Sequence, residues 1–120
     1  MITAGPYSAA HDSALNKAYV GGIEKIGNFR PDFLSLGGYD GLHLVYEALK
    51  KTNGDTDGDA LIAAMKGMTW ESPRGPISID PATRDIVQNI YIRKVEKING
   101  QLWNTELETF PNVKDPTKSA

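Results

Sequence analysis

Nine residues near the middle of the chain, SPRGPISID at positions 72–80, constrain the fold more than any other stretch. Two prolines flank Gly75, which leaves few backbone donors and one position that is free to take a positive φ. The triplet Ile-Ser-Ile at 77–79 alternates with the period of a half-buried strand, and Asp80-Pro81 is a turn signal. The patterns before this stretch are helical and those after it are typical of strands. We therefore expect the chain to leave a helical layer here and to enter a sheet.

The composition limits the classes of protein that need to be considered. A length of 120 residues fits one domain, and a hydrophobic share of 40% with 23% charged residues argues against a disordered chain. A net charge of −2 without a basic stripe argues against nucleic acid and anionic membranes as partners. The absence of cysteine excludes disulfides, thiolate metal sites and a cysteine nucleophile. No apolar stretch approaches the roughly 20 residues of a membrane span.

Three amphipathic helices are predicted in a helical part over residues 12–67. They are expected to run from a cap at Asp12 or Ser13 to Gly27-Asn28, over about residues 39–51, and over residues 59–66. The apolar positions predicted to be buried are Leu15, Tyr19, Ile23 and Ile26 in the first helix, Leu42, Val45, Tyr46 and Leu49 in the second, and Leu61, Ile62 and Met65 in the third. Gly21-Gly22 predicts close packing against another element, because each helical glycine costs roughly 1 kcal/mol relative to alanine.

A β-hairpin is the strongest local signal after the turn, in a strand part over residues 75–110. Asn99-Gly100 separates two β-rich runs, 86–98 and 101–110, and predicts a type I′ turn. Counting from this turn places Ile98 opposite Gln101, Val95 opposite Asn104, Arg93 opposite Glu106, and Ile92 opposite Leu107. The two charges at 93 and 106 are complementary, as cross-strand neighbours should be. The polar segment 112–120 is expected to fray.

Few residues are candidates for chemistry. Asp55, Asp57 and Asp59 have the spacing that opens a calcium loop, but Ala60 and Lys66 stand where that loop needs a glycine and an acid. A charged N-terminal end of the third helix explains these three acids. The spacing of the two histidines predicts no metal site. There is no nucleophile elbow and no phosphate-binding glycine loop, so we predict neither an enzyme nor a cofactor.

The candidate binding residues lie near the start of the chain. Tyr7, Ser8 and His11 form a polar and aromatic trio that could line a cleft, or that could lie in an ordinary surface loop. His43 is interpreted as structural. Four aromatic residues near helix ends could stack on a planar ligand or belong to the core: Phe29, Phe33, Tyr39 and Trp70. The scattered acids Asp32, Asp40 and Asp80 are explained by capping.

The inventory of elements is unbalanced, because three helices need a sheet and few strands are available to form one. Either the helices pack on one another, or the remaining strands belong to another part of a longer chain, which is the option we favour.

The order of the motifs resembles the C-terminal third of a periplasmic solute-binding protein of the leucine/isoleucine/valine-binding protein family, which serves ABC importers. The segments that carry the resemblance are NKAYV at 16–20, PDF at 31–33 leading to GYDG at 38–41, DALIAAM at 59–65, SPRGPISID at 72–80 and QNIYI at 88–92. The sequence is most similar to members that bind amino acids or small aromatic carboxylates.

This resemblance implies a partial type I periplasmic-binding-protein fold of the α/β class, with three helices followed by a strand and a C-terminal β-hairpin. It implies crossovers between two lobes near residues 4–11 and 80–88, a solute bound between the lobes, an ABC permease as partner, and a periplasmic location with the signal peptide outside this chain. Tyr7, Ser8 and His11 lie nearest the first crossover, and Tyr39 is a further candidate for binding the solute.

A second hypothesis is a small α+β interaction domain that self-associates through its hairpin edge and has no ligand. Self-association as a homo-oligomer is also expected of the isolated chain under the first hypothesis, because surfaces that face missing lobes would be bare.

Overall fold

The computed structural model describes residues 1–118 and has the predicted mixed α/β architecture. Its elements in chain order are β1 (Ile2–Gly5), α1 (Ala14–Gly27), α2 (Phe33–Lys51), α3 (Gly58–Met65), β2 (Thr69–Ser72), β3 (Gly75–Ile79), β4 (Ile86–Ile98) and β5 (Gln101–Val113). None of the helices in this part of the chain is both long and apolar enough to cross a membrane.

The helix ends follow local capping chemistry. Ser13 caps α1 by accepting a hydrogen bond from the backbone N–H of Asn16, and Asn28 ends the helix in the left-handed conformation, as predicted. Helix α2 begins at Phe33 rather than near residue 39. The reason is a capping box, in which Asp32 accepts from the backbone N–H of Ser35 and the Ser35 hydroxyl accepts from that of Asp32.

The five strands form one antiparallel sheet with β4 at its centre. β5 pairs along one edge of β4, while β3 and β1 pair with successive parts of its other edge. The turn at Asn99 (φ 49°) and Gly100 (φ 80°) has two positive φ angles, as a type I′ turn requires. This hairpin is where the loop after β1 is anchored.

Most of the predicted hairpin register is confirmed. Ile98 lies opposite Gln101, Val95 opposite Asn104 and Arg93 opposite Glu106. The prediction for Ile92 is wrong, because an irregularity between Ile92 and Arg93 shifts the register and places Glu108 opposite Ile92.

Two boundaries of the sheet also differ from the sequence-based expectation. Residues 69–72 form β2, which pairs with β3 through a turn at Pro73-Arg74. This part of the sheet therefore begins before most of residues 72–80, which we call the switch stretch. β5 continues to Val113, past the expected end at residue 110. Beyond it, Lys114 and Lys118 form 2.8 Å ion pairs with Asp80 and Asp85 and tie this segment to the end of β3 and the start of β4.

The hydrophobic core is small and lies where α1 and α2 meet the loop after β1. Tyr7, Tyr19 and Leu36 are buried together, with Ile23 packed against them. The burial predicted for the α2 stripe is wrong: Leu42, Val45 and Tyr46 are exposed, and so is Ile26 of α1. Nothing in residues 1–118 covers the side of α2 that carries Leu42, Val45 and Tyr46. The buried residues of this helix are Leu36, Asp40 and Ala48.

Candidate functional site

The loop after β1 is held against α1 by a buried hydrogen-bond network. The Tyr7 hydroxyl donates to Asn16 Oδ1 at 2.8 Å. Asn16 Nδ2 in turn donates to the carbonyl oxygens of Ala9 at 3.0 Å and His11 at 2.9 Å. Since the Asn16 side chain is almost completely buried, this network fixes the loop conformation and the position of Tyr7.

The same loop is fastened to β5 on its other side. The Ser8 hydroxyl donates to the carbonyl oxygen of Asn104 and accepts from the backbone N–H of Ala10 at 3.1 Å. His11 Nδ1 lies 2.9 Å from both carboxylate oxygens of Glu106. We call the pair of His11 and Glu106 the loop clasp.

The loop clasp replaces the expected pairing of Arg93 with Glu106. These two residues lie opposite each other in the register, but Arg93 donates instead to Thr3 Oγ1 at 3.2 Å and to the carbonyl oxygen of Tyr7. Arg93, which lies on β4, therefore links both β1 and the loop after β1 to the hairpin.

Burial and hydrogen bonding change the acidity of two of these groups. The hydrogen bond to Glu106 raises the pKa of His11, against the opposing effect of burial. Burial is also the main cause of the raised pKa of Tyr7, with the charge of Glu106 adding to it. Tyr7 therefore remains a neutral donor at physiological pH.

Tyr39 lies apart from the other three candidate residues. Its ring is 4.9 Å from that of Tyr19, which in turn meets the Tyr7 ring edge-on at 6.4 Å. The structure thus brings Tyr7, Ser8 and His11 together and places Tyr39 two aromatic contacts away, half exposed on α2.

A cavity of about 260 Å³ opens beside Tyr7, between the start of α2 and β5. We call it the Tyr7 cavity. Its lining includes Tyr7, Ser8, Arg30, Asp32, Phe33, Arg93 and Trp103. His11 lines a separate groove of about 660 Å³ between α1 and the hairpin tip, and Trp103 forms a wall of both.

Aromatic faces and guanidinium groups dominate the Tyr7 cavity. Arg30 stacks on the Trp103 ring, with Cζ 3.5 Å from the ring centroid, and donates to Gln101 Oε1 at 2.7 Å. Phe33 on the first turn of α2 is 50% exposed. Rings that cover a planar group, next to fixed positive charge, are suited to an aromatic anion.

Sequence reasoning singled out only part of this cavity. Phe33 was one of four aromatic candidates, but Arg30, Arg93 and Trp103 were missed as site residues. The available signal was the hairpin register, which places Asn104 and Trp103 beside the strand that carries Arg93. The register did not show that the loop after β1 packs against these hairpin residues.

A buried ion pair fixes α2 to the β2–β3 turn. Arg74 Nε lies 3.0 Å from Asp40 Oδ2, which also accepts from the Ser72 hydroxyl at 2.8 Å. Arg74 also donates to Gln88 Oε1 at 2.7 Å, and its carbonyl oxygen accepts from the Tyr91 hydroxyl. Asp40 is thus a buried ion-pair partner rather than a cap. Through it, the switch stretch sets the position of α2 and hence of Phe33.

Within residues 1–118 no three His, Asp or Glu side chains come close enough to hold a metal ion.

Sequence comparison finds one family whose model matches most of the chain. The model is that of the periplasmic binding proteins, and the match covers residues 1–101. Among curated proteins, the Leu/Ile/Val-binding protein homolog 6 of Brucella abortus (strain 2308) is 44% identical over 119 residues, which are 97% of this chain and 30% of that protein. The chain therefore spans about a third of the length of its curated relatives.

Structural comparison agrees with the sequence match. The solute-binding protein of an ABC transporter from Rhodopseudomonas palustris BisB5, in complex with 3,4-dihydroxybenzoic acid, is 67% identical with a TM-score of 0.97. The corresponding protein from R. palustris HaA2, in complex with p-hydroxybenzoic acid, is 44% identical with a TM-score of 0.89. In both comparisons the match covers 98% of this chain and 32% of the other.

Proposed function

This chain belongs to the periplasmic binding protein family, and from that premise we propose that it is part of a solute-binding protein that binds a small aromatic carboxylic acid for an ABC importer. The observation that carries the proposal is its similarity, over 98% of its length, to solute-binding proteins crystallised with hydroxylated benzoic acids. Its place of action would be the periplasm and its protein partner the ABC permease.

The lining of the Tyr7 cavity supports an aromatic acid over an amino acid. Phe33 and Trp103 offer ring faces, and Arg30 and Arg93 supply positive charge. An amino acid would also need an acceptor for its ammonium group. The acid in the lining is Asp32, which also caps α2 by accepting from the backbone N–H of Ser35, so the two arginines leave the lining with more positive than negative charge.

In this proposal the chain binds and positions the solute without chemistry. Tyr7 and Ser8 form the fixed wall, since their hydroxyl groups are occupied by Asn16 and Asn104. Phe33 covers the ring of the solute, and closure of two lobes around it would present it to the permease. Tyr39 and His11 would act from outside the cavity, as supports of the wall.

A chimera tests this function. The matching third of the R. palustris BisB5 protein is replaced by this chain, and the binding of 3,4-dihydroxybenzoate, 4-hydroxybenzoate and leucine is measured by calorimetry. We expect both benzoates to bind and leucine not to bind. Leucine binding without benzoate binding would overturn the choice of solute.

A matched pair of phenylalanines tests the cavity itself. Phe33→Ala should weaken benzoate binding by up to about tenfold, because an aromatic contact contributes about 0.5–1.5 kcal/mol. Phe29→Ala is the control, since Phe29 is 53% exposed and lies outside the lining of the Tyr7 cavity. Equal losses for both variants would place the solute elsewhere.

The matched family is one of binding proteins, and we propose no catalytic activity. A self-associating domain without a ligand finds no support among the matched proteins.

A further inference from the structure

The chain contains the dipeptide Asn-Gly twice, at residues 53–54 after α2 and at residues 99–100 in the hairpin turn. Both copies are exposed, and both have two positive φ angles, 53° and 85° in the first and 49° and 80° in the second. Asn-Gly is the asparagine sequence most prone to lose its side-chain amide, because glycine has no side chain to shield its backbone nitrogen. The two copies therefore carry the same reactive groups.

Hydrogen bonding of the glycine nitrogen distinguishes the two copies. The Gly54 N–H donates to the carbonyl oxygen of Leu49 at 2.9 Å, and the Asn53 N–H donates to that of Lys50 at 3.3 Å. The first copy is thus tied to the last turn of α2. Among residues 1–118 no group accepts a hydrogen bond from the Gly100 N–H. The nitrogen that would have to react is therefore engaged in the first copy and free in the second.

The end of the hairpin is also weakly supported by its neighbours. The pairing of β1 with β4 ends where Ile2 lies opposite Lys94, so that residues 96–103 form a ribbon of two strands. The groove of about 660 Å³ lies on one side of this ribbon, and a cavity of about 400 Å³ lies between Gln101 and the end of α1. A two-stranded ribbon is marginally stable by itself, so the turn at residues 99–100 can open locally without unfolding the sheet.

We propose that Asn99 is a site of spontaneous deamidation and that the structure protects Asn53 from the same reaction. The Gly100 backbone nitrogen, after losing its proton to hydroxide, attacks Cγ of Asn99. The new C–N bond closes a succinimide ring, and the bond from Cγ to the side-chain nitrogen breaks with the release of ammonia. Water then opens the ring at either carbonyl and leaves aspartate or isoaspartate at position 99. The reaction consumes only water and needs no other reactant.

The modification would act on the Tyr7 cavity through the hairpin turn, a consequence that rests on the proposed function. An isoaspartate adds one carbon atom to the backbone of the turn, and the register of a hairpin depends on the length and type of its turn. Arg30 donates to Gln101 Oε1 at 2.7 Å and to the Leu102 carbonyl oxygen, and these bonds hold it on the Trp103 ring. Displacement of the two acceptors would loosen this wall of the cavity and weaken solute binding.

Ageing of the folded chain in mildly alkaline buffer tests the modification. Peptide mass spectrometry gives the rate of conversion at each asparagine, and an isoaspartate-specific methyltransferase identifies the rearranged product. Conversion at Asn99 should be at least about tenfold faster than at Asn53, because the hydrogen bond of Gly54 must first break. Equal rates, or faster conversion at Asn53, overturn the proposal.

The unfolded chain is the control for this comparison. In guanidinium chloride neither turn persists, and the two asparagines should be converted at similar rates. A preference for Asn99 that is equally large in the unfolded chain would be a property of the sequence and would overturn the assignment to the structure.

An aged chimera tests the consequence for binding. The chimera with the R. palustris BisB5 protein should lose affinity for 4-hydroxybenzoate in proportion to conversion at Asn99. Asn99→Gly is the matched control, because Gly-Gly also favours a type I′ turn and has no side-chain amide to cyclise, so its affinity should not change with age. Undiminished affinity after complete conversion overturns the link to the cavity. Failure of the fresh chimera to bind would count against the proposed function alone, since conversion is measured without solute.

Discussion

At the residue scale, the ion pair between Arg74 and Asp40 is expected to contribute strongly to stability. Both side chains are more than nine-tenths buried, so removing one charge leaves the other buried without its partner. We expect Asp40→Asn to lower the free energy of unfolding by about 3 kcal/mol, as measured by urea denaturation.

The exposed pair of Lys50 and Glu47 provides the comparison for this experiment. Its N–O distance is also 3.0 Å, but Lys50 is largely exposed, so Glu47→Gln should cost less than about 1 kcal/mol. Similar losses for Asp40→Asn and Glu47→Gln would show that Asp40 and Arg74 are not buried together in solution.

The loop clasp predicts a dependence of stability on pH. Its hydrogen bond raises the pKa of His11 in the folded chain, above the value of about 6.5 for an unperturbed histidine. The stabilisation is therefore fully present below about pH 6.5 and is lost as the pH rises through the folded pKa. The free energy of unfolding, measured from below about pH 6.5 to above the folded pKa of His11, should fall with rising pH. Glu106→Gln should remove most of this dependence of the free energy of unfolding on pH.

Glu108→Gln is the control for this titration, because it removes the same charge from an exposed position on the same strand. It should leave the slope unchanged. A slope that persists in Glu106→Gln would mean that another group is responsible.

At the element scale, local patterns predicted what is decided locally. The turn at Asn99-Gly100 and the bounds of β4 could be read directly, because both depend on neighbouring residues. The register failed at Ile92, where a bulge intervenes. Strand β2 was missed, because four residues of weak pattern next to a proline become a strand only through their pairing with β3. The capping box of α2 could have been found, but its Asp-x-x-Ser sequence differs from the usual form.

Two glycines at turns test how tightly the switch stretch is packed. Gly75 has φ 111°, and an added Cβ would collide with the Tyr91 hydroxyl, which donates to the Arg74 carbonyl. Gly100 has φ 80° with open space around it. We expect Gly75→Ala to lower the free energy of unfolding by about 3 kcal/mol and Gly100→Ala by about 1 kcal/mol. Thermal or urea unfolding of the two variants measures the difference, and equal losses would mean that backbone strain alone matters at both turns.

At the scale of the whole molecule, periodicity predicted that α2 is amphipathic but not which side this chain covers. Leu42, Val45 and Tyr46 have the spacing of a core stripe, whereas the residues buried here are Leu36 and Ala48 with Asp40. The candidate binding residues also depend on contacts between distant segments, which the sequence did not reveal. The resemblance placed Tyr7, Ser8 and His11 near a crossover, but Arg30 and Trp103 meet only after the hairpin folds back on the loop between α1 and α2.

The position of the core can be tested by two substitutions that remove the same atoms. Leu36 is fully buried beside Tyr7 and Tyr19, whereas the Leu42 side chain is exposed on α2. In the chain alone, Leu36→Ala should lower the free energy of unfolding by about 2–5 kcal/mol, and Leu42→Ala should change it by no more than about 0.5 kcal/mol. A large loss for Leu42→Ala would mean that the three helices bury the Leu42 side chain among themselves.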